Sequence, residues 1–292
     1  MSAVSEAMNR RMTLGMLSNR YGCEIEPPSA TEVTVTSIAD AIDSVRPGAL
    51  FIPSTDTDAH QIETAQSLGA YAAVVPRAMR GTIRNPQIPL VYADLTEEQL
   101  GVLASTMAGS PSDSLAVFAV AGEDDESVEH NVRNLADFLH MLGNPVGVVS
   151  ASDSQSLERF LNLRYPLSIL DVQRTLAVCM EDGAAAVILA LDKRTLDEQA
   201  LQAVNIDVLG CSDTGSDEKR TRDFAARFGC VIGKHTHIAR RTSESDLLAA
   251  QASSAYDESD AGALSLSIAM VLAAGVRKAN IKSALRVSRD MQ

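Results

Sequence analysis

Leu115-Ala-Val-Phe-Ala-Val-Ala-Gly122-Glu123-Asp124-Asp125-Glu126-Ser127 is the stretch that decides the fold. Its first seven residues are apolar without a break, as a strand buried on both faces requires. A glycine ends the run, and an acidic stretch then opens a helical pattern over 126–142. Strand, glycine-bearing turn and helix, in that order, is the architecture of a phosphate-binding loop. A complete loop places Gly-Lys before Ser or Thr, so that the backbone wraps the phosphate, the ammonium neutralises it and the hydroxyl meets magnesium. Gly122 and Ser127 stand in register with that pattern, whereas Asp125 stands in the second glycine's place and Glu126 in the lysine's. The carboxylates of Glu123, Asp124, Asp125 and Glu126 suit the positive end of a helix dipole and would repel a triphosphate. Two readings stay open: a solvated, well-capped helix start, or an acidic divalent-cation site, which would need converging ligands. We expect no ATP, no metal and no catalytic residue here.

Working outward, the same alternation continues towards the C-terminus. Strands are expected at 146–149, 185–191, 208–211 and 230–233, and helices at 167–181, 196–204, 217–228, 260–274 and 278–290. Apolar runs separated by helices are the signature of a buried, mostly parallel sheet flanked by helices. Towards the N-terminus, the small, polar, proline-bearing segment 108–113 marks a domain boundary. This gives a smaller α/β domain over 1–110 and a P-loop-like α/β domain over 111–292. In the smaller one we expect a docking helix over 5–20, a linker at 26–29, strands at 33–36, 49–52, 71–75 and 89–92, and helices at 58–68 and 96–107. Thr96-Glu-Glu-Gln99 reads as a capped helix start.

Composition narrows the function. Among 292 residues, 25 Lys and Arg face 38 Asp and Glu, a net charge of −13, which excludes a nucleic-acid groove as the default. Aromatics are 4% with no Trp, so the core must be aliphatic, supplemented by ten Met. Cys23, Cys179, Cys211 and Cys230 form no Cys-x-x-Cys pair. They read as buried structural thiols in a reduced cytoplasm. No apolar run approaches the roughly 18 residues of a membrane helix, and 1–22 resembles neither a signal nor a transit peptide.

Three further groups of residues are candidates. His235 and His237 would share a strand face as a metal pair, or belong with Lys234, Arg240 and Arg241 to a basic edge able to dock a phosphate or an acidic partner. Ser152 and Asp153 follow a buried strand, where open α/β sheets bind ligands. Asp58 and His60 open a helix, either as caps or as ligand contacts.

In order along the chain, several motifs resemble those of the Mur ligase family, most closely the UDP-N-acetylmuramoyl-tripeptide synthetases. Val45-Arg-Pro-Gly48-Ala-Leu-Phe51-Ile is similar to the family's V-x-P-G-D-L-F-V, and Asp58-Ala-His60 to its D-G-H. The segment 65–75 is similar to A-x-x-x-G-A-x-A-V-V, and 166–173 to T-T-P-x-S-L-x-L-Q. The departures fall on chemistry. Ala121 to Ser127 replaces T-G-T-N-G-K-T, and Leu189-Ala190-Leu-Asp-Lys-Arg194 replaces M-E-V-S-S-H with its magnesium-binding Glu. Arg227 stands near the modified Lys, Ser212 to Asp217 shortens T-N-L-S-x-D-H-L-D, Ala41-Ile42-Asp43 replaces D-S-R, and the third family domain is expected to be absent.

The resemblance implies a non-catalytic protein of peptidoglycan precursor synthesis, with a degenerate central domain, that binds, regulates or scaffolds. Its implied partners are another Mur ligase or cell-wall enzyme, a second copy of the chain, or a UDP-muramoyl precursor contacted by Asp58 and His60. The alternative is a divergent ligase using ATP and Mg and completed by a partner chain.

Overall fold

Two blocks of apolar strands, each long enough to bury a sheet, produce two compact units, Met1–Ser110 and Pro111–Gln292. The computed structural model describes residues 12–53, 58–212, 218–252 and 258–291. The expectations for 5–11 and 213–217 therefore lie outside the described residues.

In the first unit, β1 (Met12–Thr13) leads into α1 (Leu14–Tyr21), β2 (Glu24–Glu26), β3 (Thr34–Val35), β4 (Ser37–Ala39) and β5 (Ala49–Phe51). α2 (Ala59–Ser67), β6 (Ala70–Val75), β7 (Leu90–Tyr92) and α3 (Glu97–Ala108) follow. The five-stranded sheet runs β2-β7-β6-β5-β4, parallel except for β2. The linker expected at 26–29 is corrected. Glu24–Glu26 is an edge strand, and a 3₁₀ turn over Pro28–Glu32 follows, because the two prolines fix φ without ending the sheet. The helix expected from residue 5 has no helical residues at 12–13, which pair with β3 instead.

Thr96 caps α3 in a reciprocal box with Gln99, N to Oγ1 3.2 Å and N to Oε1 3.1 Å. Thr96→Ala should therefore lower stability by about 1 kcal/mol, read as a denaturant midpoint shift at constant slope.

The second unit contains β8 (Ala116–Ala121), α4 (Asp125–Met141), β9 (Val146–Val149), β10 (Gln155–Ser156), β11 (Arg159–Phe160), α5 (Ile169–Glu181), β12 (Ala186–Leu191) and β13 (Val208–Cys211). Next come α6 (Glu218–Ala226), β14 (His237–Ala239), α7 (Ser243–Ala252), α8 (Glu258–Ala273) and α9 (Lys278–Met291). Its seven-stranded sheet runs β11-β10-β9-β12-β8-β13-β14. The strands from β9 to β14 in that order are parallel, and the β10–β11 hairpin closes one edge antiparallel. The sheet is thus mostly parallel and flanked by helices, the expected fold class. Strict alternation makes it two-sided. Phe118 and Val120 join Val132, Leu135 and Ile268 on one face, while Val117 and Ala119 join Leu176, Leu201 and Phe228 on the other.

Two expectations in this unit are corrected. Segment 196–204 is not a helix but a chain of turns. Gln199 and Ala203 sit at φ 62° and 59°, outside the helical region, and the amides of Gln199 and Leu201 donate to Arg227 and Phe228 carbonyls. Segment 230–233 makes only an isolated bridge, Asn205 with Val231, because Ile232 packs on the core while the edge of β13 is taken by β14. Helix α7 was not anticipated. Its start is a Thr242–Ser245 reciprocal cap, Ser245 N to Thr242 Oγ1 3.1 Å and Thr242 N to Ser245 Oγ 2.9 Å.

Candidate functional site

The order of the parallel strands reverses at β8. The chain leaves β8 for β9 on one side, and after β13 it continues to β14 on the other. The crevice beyond the carboxyl ends of β8 and β13 is therefore the topological switch point, where open α/β sheets bind ligands. The acidic loop lies there.

Asp124, Glu123 and Asp125 of the loop are each paired within the protein. Asp124 caps α4, accepting from Ser127 N at 2.9 Å, so a carboxylate of this chain takes an amide that a phosphate would otherwise use. Glu123 pairs with Arg220 of α6, and Asp125 pairs with Arg194 at 3.3 Å. Arg194 also lies 3.6 Å from Glu129. Gly122 is covered by Ser212, whose amide donates to Ala121 O at 2.9 Å. A Cβ on Gly122 would stand 1.9 Å from Ser212 Oγ. The glycine is thus required by packing within the protein.

Beside the loop, Asp192 directly follows β12 and is 2% exposed. Its carboxylate accepts from Arg194 N at 2.9 Å, Thr195 N at 2.8 Å and Thr195 Oγ1 at 3.1 Å. Thr195 Oγ1 in turn accepts from Ala151 N at 2.9 Å, tying together the loops after β9 and β12. Burial pushes the Asp192 carboxyl above its usual range; the hydrogen bonds from Thr195 and Arg194 oppose that shift, and neighbouring Asp125 adds to it. Ala190 is fully buried in the sheet beside Val120.

A groove of about 500 Å³ opens against the first turn of α4. Its walls include Asp124, Glu126, Asn131, Ser212 and Arg241. Arg241 is held from behind by Asp246 through Nε and Nη2, each 3.1 Å from Oδ1. Ser265 Oγ donates to the same oxygen at 2.6 Å. His130, also on the wall, pairs with Asp260 at 3.3 Å. The chain reading passed over Asn131, His130 and Asp192. Their signal was helical spacing from Ser127 and the position at a strand's carboxyl end.

The other candidates lie elsewhere. Asp58 caps α2, accepting from Gln61 N at 2.7 Å, and His60 is exposed in that helix's first turn. Only His237 of the histidine pair is in a strand; His235 sits in the preceding turn, and both are exposed. The single strand face expected for the two is corrected accordingly, since the ladder with β13 begins at His237. Ser152 and Asp153 form a self-bonded loop in which Asp153 accepts from Gln155 Nε2 at 2.9 Å and 2.8 Å. Cys23, Cys179 and Cys211 are buried and Cys230 half-buried, all as free thiols. Burial pushes Cys179 up to about 11 and Cys230 up to about 12. Among the described residues, no three or more His, Cys, Asp or Glu gather as a metal site, and no helix is long and apolar enough to cross a membrane.

Comparison with known proteins adds sequence relatives and fold relatives. No family model matches. A UDP-N-acetylmuramoyl-L-alanyl-D-glutamate--2,6-diaminopimelate ligase of Xanthomonas campestris pv. campestris is 26% identical over 210 residues, 70% of this chain and 42% of that protein. The protein of the same name from Pseudomonas aeruginosa is 25% identical over 190 residues, 63% of this chain and 38% of its own. The chain therefore spans about four tenths of the curated relatives it matches. Among solved structures, a ligase of that name superposes with a TM-score of 0.61 at 12% identity, covering 96% of this chain and 66% of its own. MurF from Acinetobacter baumannii gives 0.57 at 13% identity, covering 94% and 67%.

Proposed function

Because this chain is a Mur-ligase-like protein in sequence and in fold, we propose that it is a non-catalytic member of that group. It acts by binding, as a regulatory or scaffolding component of peptidoglycan precursor synthesis in the cytoplasm. The observation that carries this reading is that three of the loop's four carboxylates are taken up within the protein. Asp124 occupies the α4 amide, Ser212 covers Gly122, and Glu123 and Asp125 are neutralised by Arg220 and Arg194.

A magnesium nucleotide does not fit these residues. Phosphoryl transfer depends on positioned cations that neutralise charge developing on the phosphoryl oxygens. In the lysine's place stands Glu126, and Ala190 offers magnesium no side-chain oxygen. Arg194, the nearby guanidinium, is already held by two carboxylates.

What remains available is binding at the first unit, where His60 is exposed beside the Asp58 cap. A UDP-muramoyl precursor is the ligand we assign there; another Mur ligase, another cell-wall enzyme or a second copy of the chain is the macromolecular partner. The test is a thermal-shift series on the purified chain. Mg-ATP is expected to leave the midpoint unmoved and to be hydrolysed no faster than in buffer. A UDP-muramoyl-peptide at a hundred times its Kd should add about 2.7 kcal/mol, and His60→Ala should reduce that shift. Stabilisation or turnover with Mg-ATP would overturn the reading in favour of a divergent ligase completed by a partner chain.

A further inference from the structure

The seven-stranded sheet ends on β11, and the outer edge of that strand is open. Leu161 N donates to Ser154 O at 2.8 Å, so these two residues form a hydrogen-bonded pair of the β10–β11 ladder. Pairs in an antiparallel ladder alternate, and the next one, Gln155 with Phe160, is therefore unbonded. The N–H and C=O of Phe160 point away from β10, towards the free edge. Phe160 is also 75% exposed, more than any other large apolar side chain among the described residues. The edge is held from behind. Ser156 Oγ donates to Asp182 Oδ2 at 2.5 Å, Arg159 pairs with the same carboxylate, and Leu157 N donates to Val146 O at 3.1 Å. Two other sheet edges are guarded by charge, the usual protection against pairing with a further strand. β2 carries Glu24 and Glu26, and β14 is bordered in the chain by Lys234, Arg240 and Arg241.

The length of the β11 edge selects its partner. After Phe160 the chain turns, with Leu163 N donating to Leu161 O at 3.1 Å. Before β11 stands the tight turn at Leu157 and Glu158, where Leu157 has φ 56°. The edge therefore offers the outward groups of one residue. An extended foreign peptide would find no partner here for the rest of its own N–H and C=O groups, whereas a second copy brings an edge that is short by the same amount. A two-fold axis sets one residue against itself, and Phe160 suits that place because its groups point outward and it is uncharged. Registers centred on Glu158 or Arg159 would set like charges opposite one another, which is destabilising. Resting on the reading that this chain acts by binding, we propose that β11 pairs antiparallel with β11 of a second copy about a two-fold axis at Phe160. Each Phe160 N–H donates to the other's carbonyl, the two rings pack together, and the two sheets become one. An interface this small belongs to the weak, transient class. The net charge of −13 on each copy opposes it, so added salt should tighten it.

The experiment is analytical ultracentrifugation of the full chain from micromolar to submillimolar concentration, at low and high salt. A monomer–dimer equilibrium is expected, tighter at high salt, with no species beyond the dimer. Phe160→Asp, an exposed change that sets like charges on the axis, should weaken it roughly tenfold or more. Leu247→Asp, which charges another exposed apolar side chain on α7, should leave it unchanged. Amide hydrogen exchange at Phe160 should slow as concentration rises, because pairing occupies its N–H; contact between side chains alone would not slow it. A monomer at every concentration would overturn the proposal, as would growth past the dimer, a dimer equally sensitive to both substitutions or to neither, or exchange at Phe160 that ignores concentration. A parallel titration with Mg-ATP tests the underlying reading separately. Nucleotide binding sinks the non-catalytic reading whatever the sedimentation shows, whereas a monomer that ignores nucleotide sinks the dimer alone.

Discussion

Asp192→Ala is expected to lower the stability of the second unit by about 3 kcal/mol, the order expected when a buried carboxylate's charge-assisted hydrogen bonds are removed and their donors orphaned. In a unit of this size that should lower the thermal midpoint by roughly 6–12 °C. The cost arises because one carboxylate gathers three donors from Arg194 and Thr195, and Thr195 then anchors Ala151. Asp192→Asn keeps one oxygen for the two backbone amides, so its cost should be much smaller.

The pH dependence separates charge from shape. Burial raises the Asp192 carboxyl in the folded chain, so the folded state holds its proton at higher pH than the unfolded state does. Its contribution to stability is fully present below the unfolded pKa and is lost as pH rises through the raised folded pKa. Relative to the natural protein, Asp192→Asn should therefore become more stable as pH climbs through that window. Urea midpoints across the acidic range check this; a difference that stays flat with pH would show the carboxyl unshifted.

Gly122→Ala is expected to cost about 2 kcal/mol. The new methyl would stand 1.9 Å from Ser212 Oγ and 3.0 Å from Val128 Cγ2, and Ser212 is held by its N–H and its hydroxyl, which donate to Ala121 O at 2.9 Å and 3.2 Å. The double variant Gly122→Ala with Ser212→Gly should recover most of the loss, with a coupling of about 1–2 kcal/mol in a double-mutant cycle. Additive costs would mean that the glycine answers to something other than Ser212. The result bears on function, because a glycine kept for a phosphate owes nothing to an intramolecular hydroxyl.

Much of the second unit is legible in the chain. Strands β8, β9, β12 and β13 are uninterrupted apolar runs, and α4 and α5 open on capping residues with acidic first turns. Legibility fails where partners are remote. Segment 196–204 has helical composition, yet its amides are claimed by Arg227 and Phe228 carbonyls and two of its residues take positive φ. Cys230-Val-Ile looks like a strand but packs against the core, while the short His237–Ala239 becomes the strand because β13 offers it a free edge. The smaller unit repeats the lesson at Glu24–Glu26, where a proline pair following three residues hides an edge strand.

At the candidate site, the chain alone determined the charge of the loop after β8. Glu123, Asp124, Asp125 and Glu126 make it acidic, and charge is a property of residue type. Only the tertiary structure decided what surrounds the loop. Ser212 over Gly122, Arg194 on Asp125 and Arg220 on Glu123 join residues distant in sequence. So does the groove between Arg241 and Glu126. No local period encodes such meetings. They follow from the strand order, which brings the ends of β8, β12 and β13 side by side.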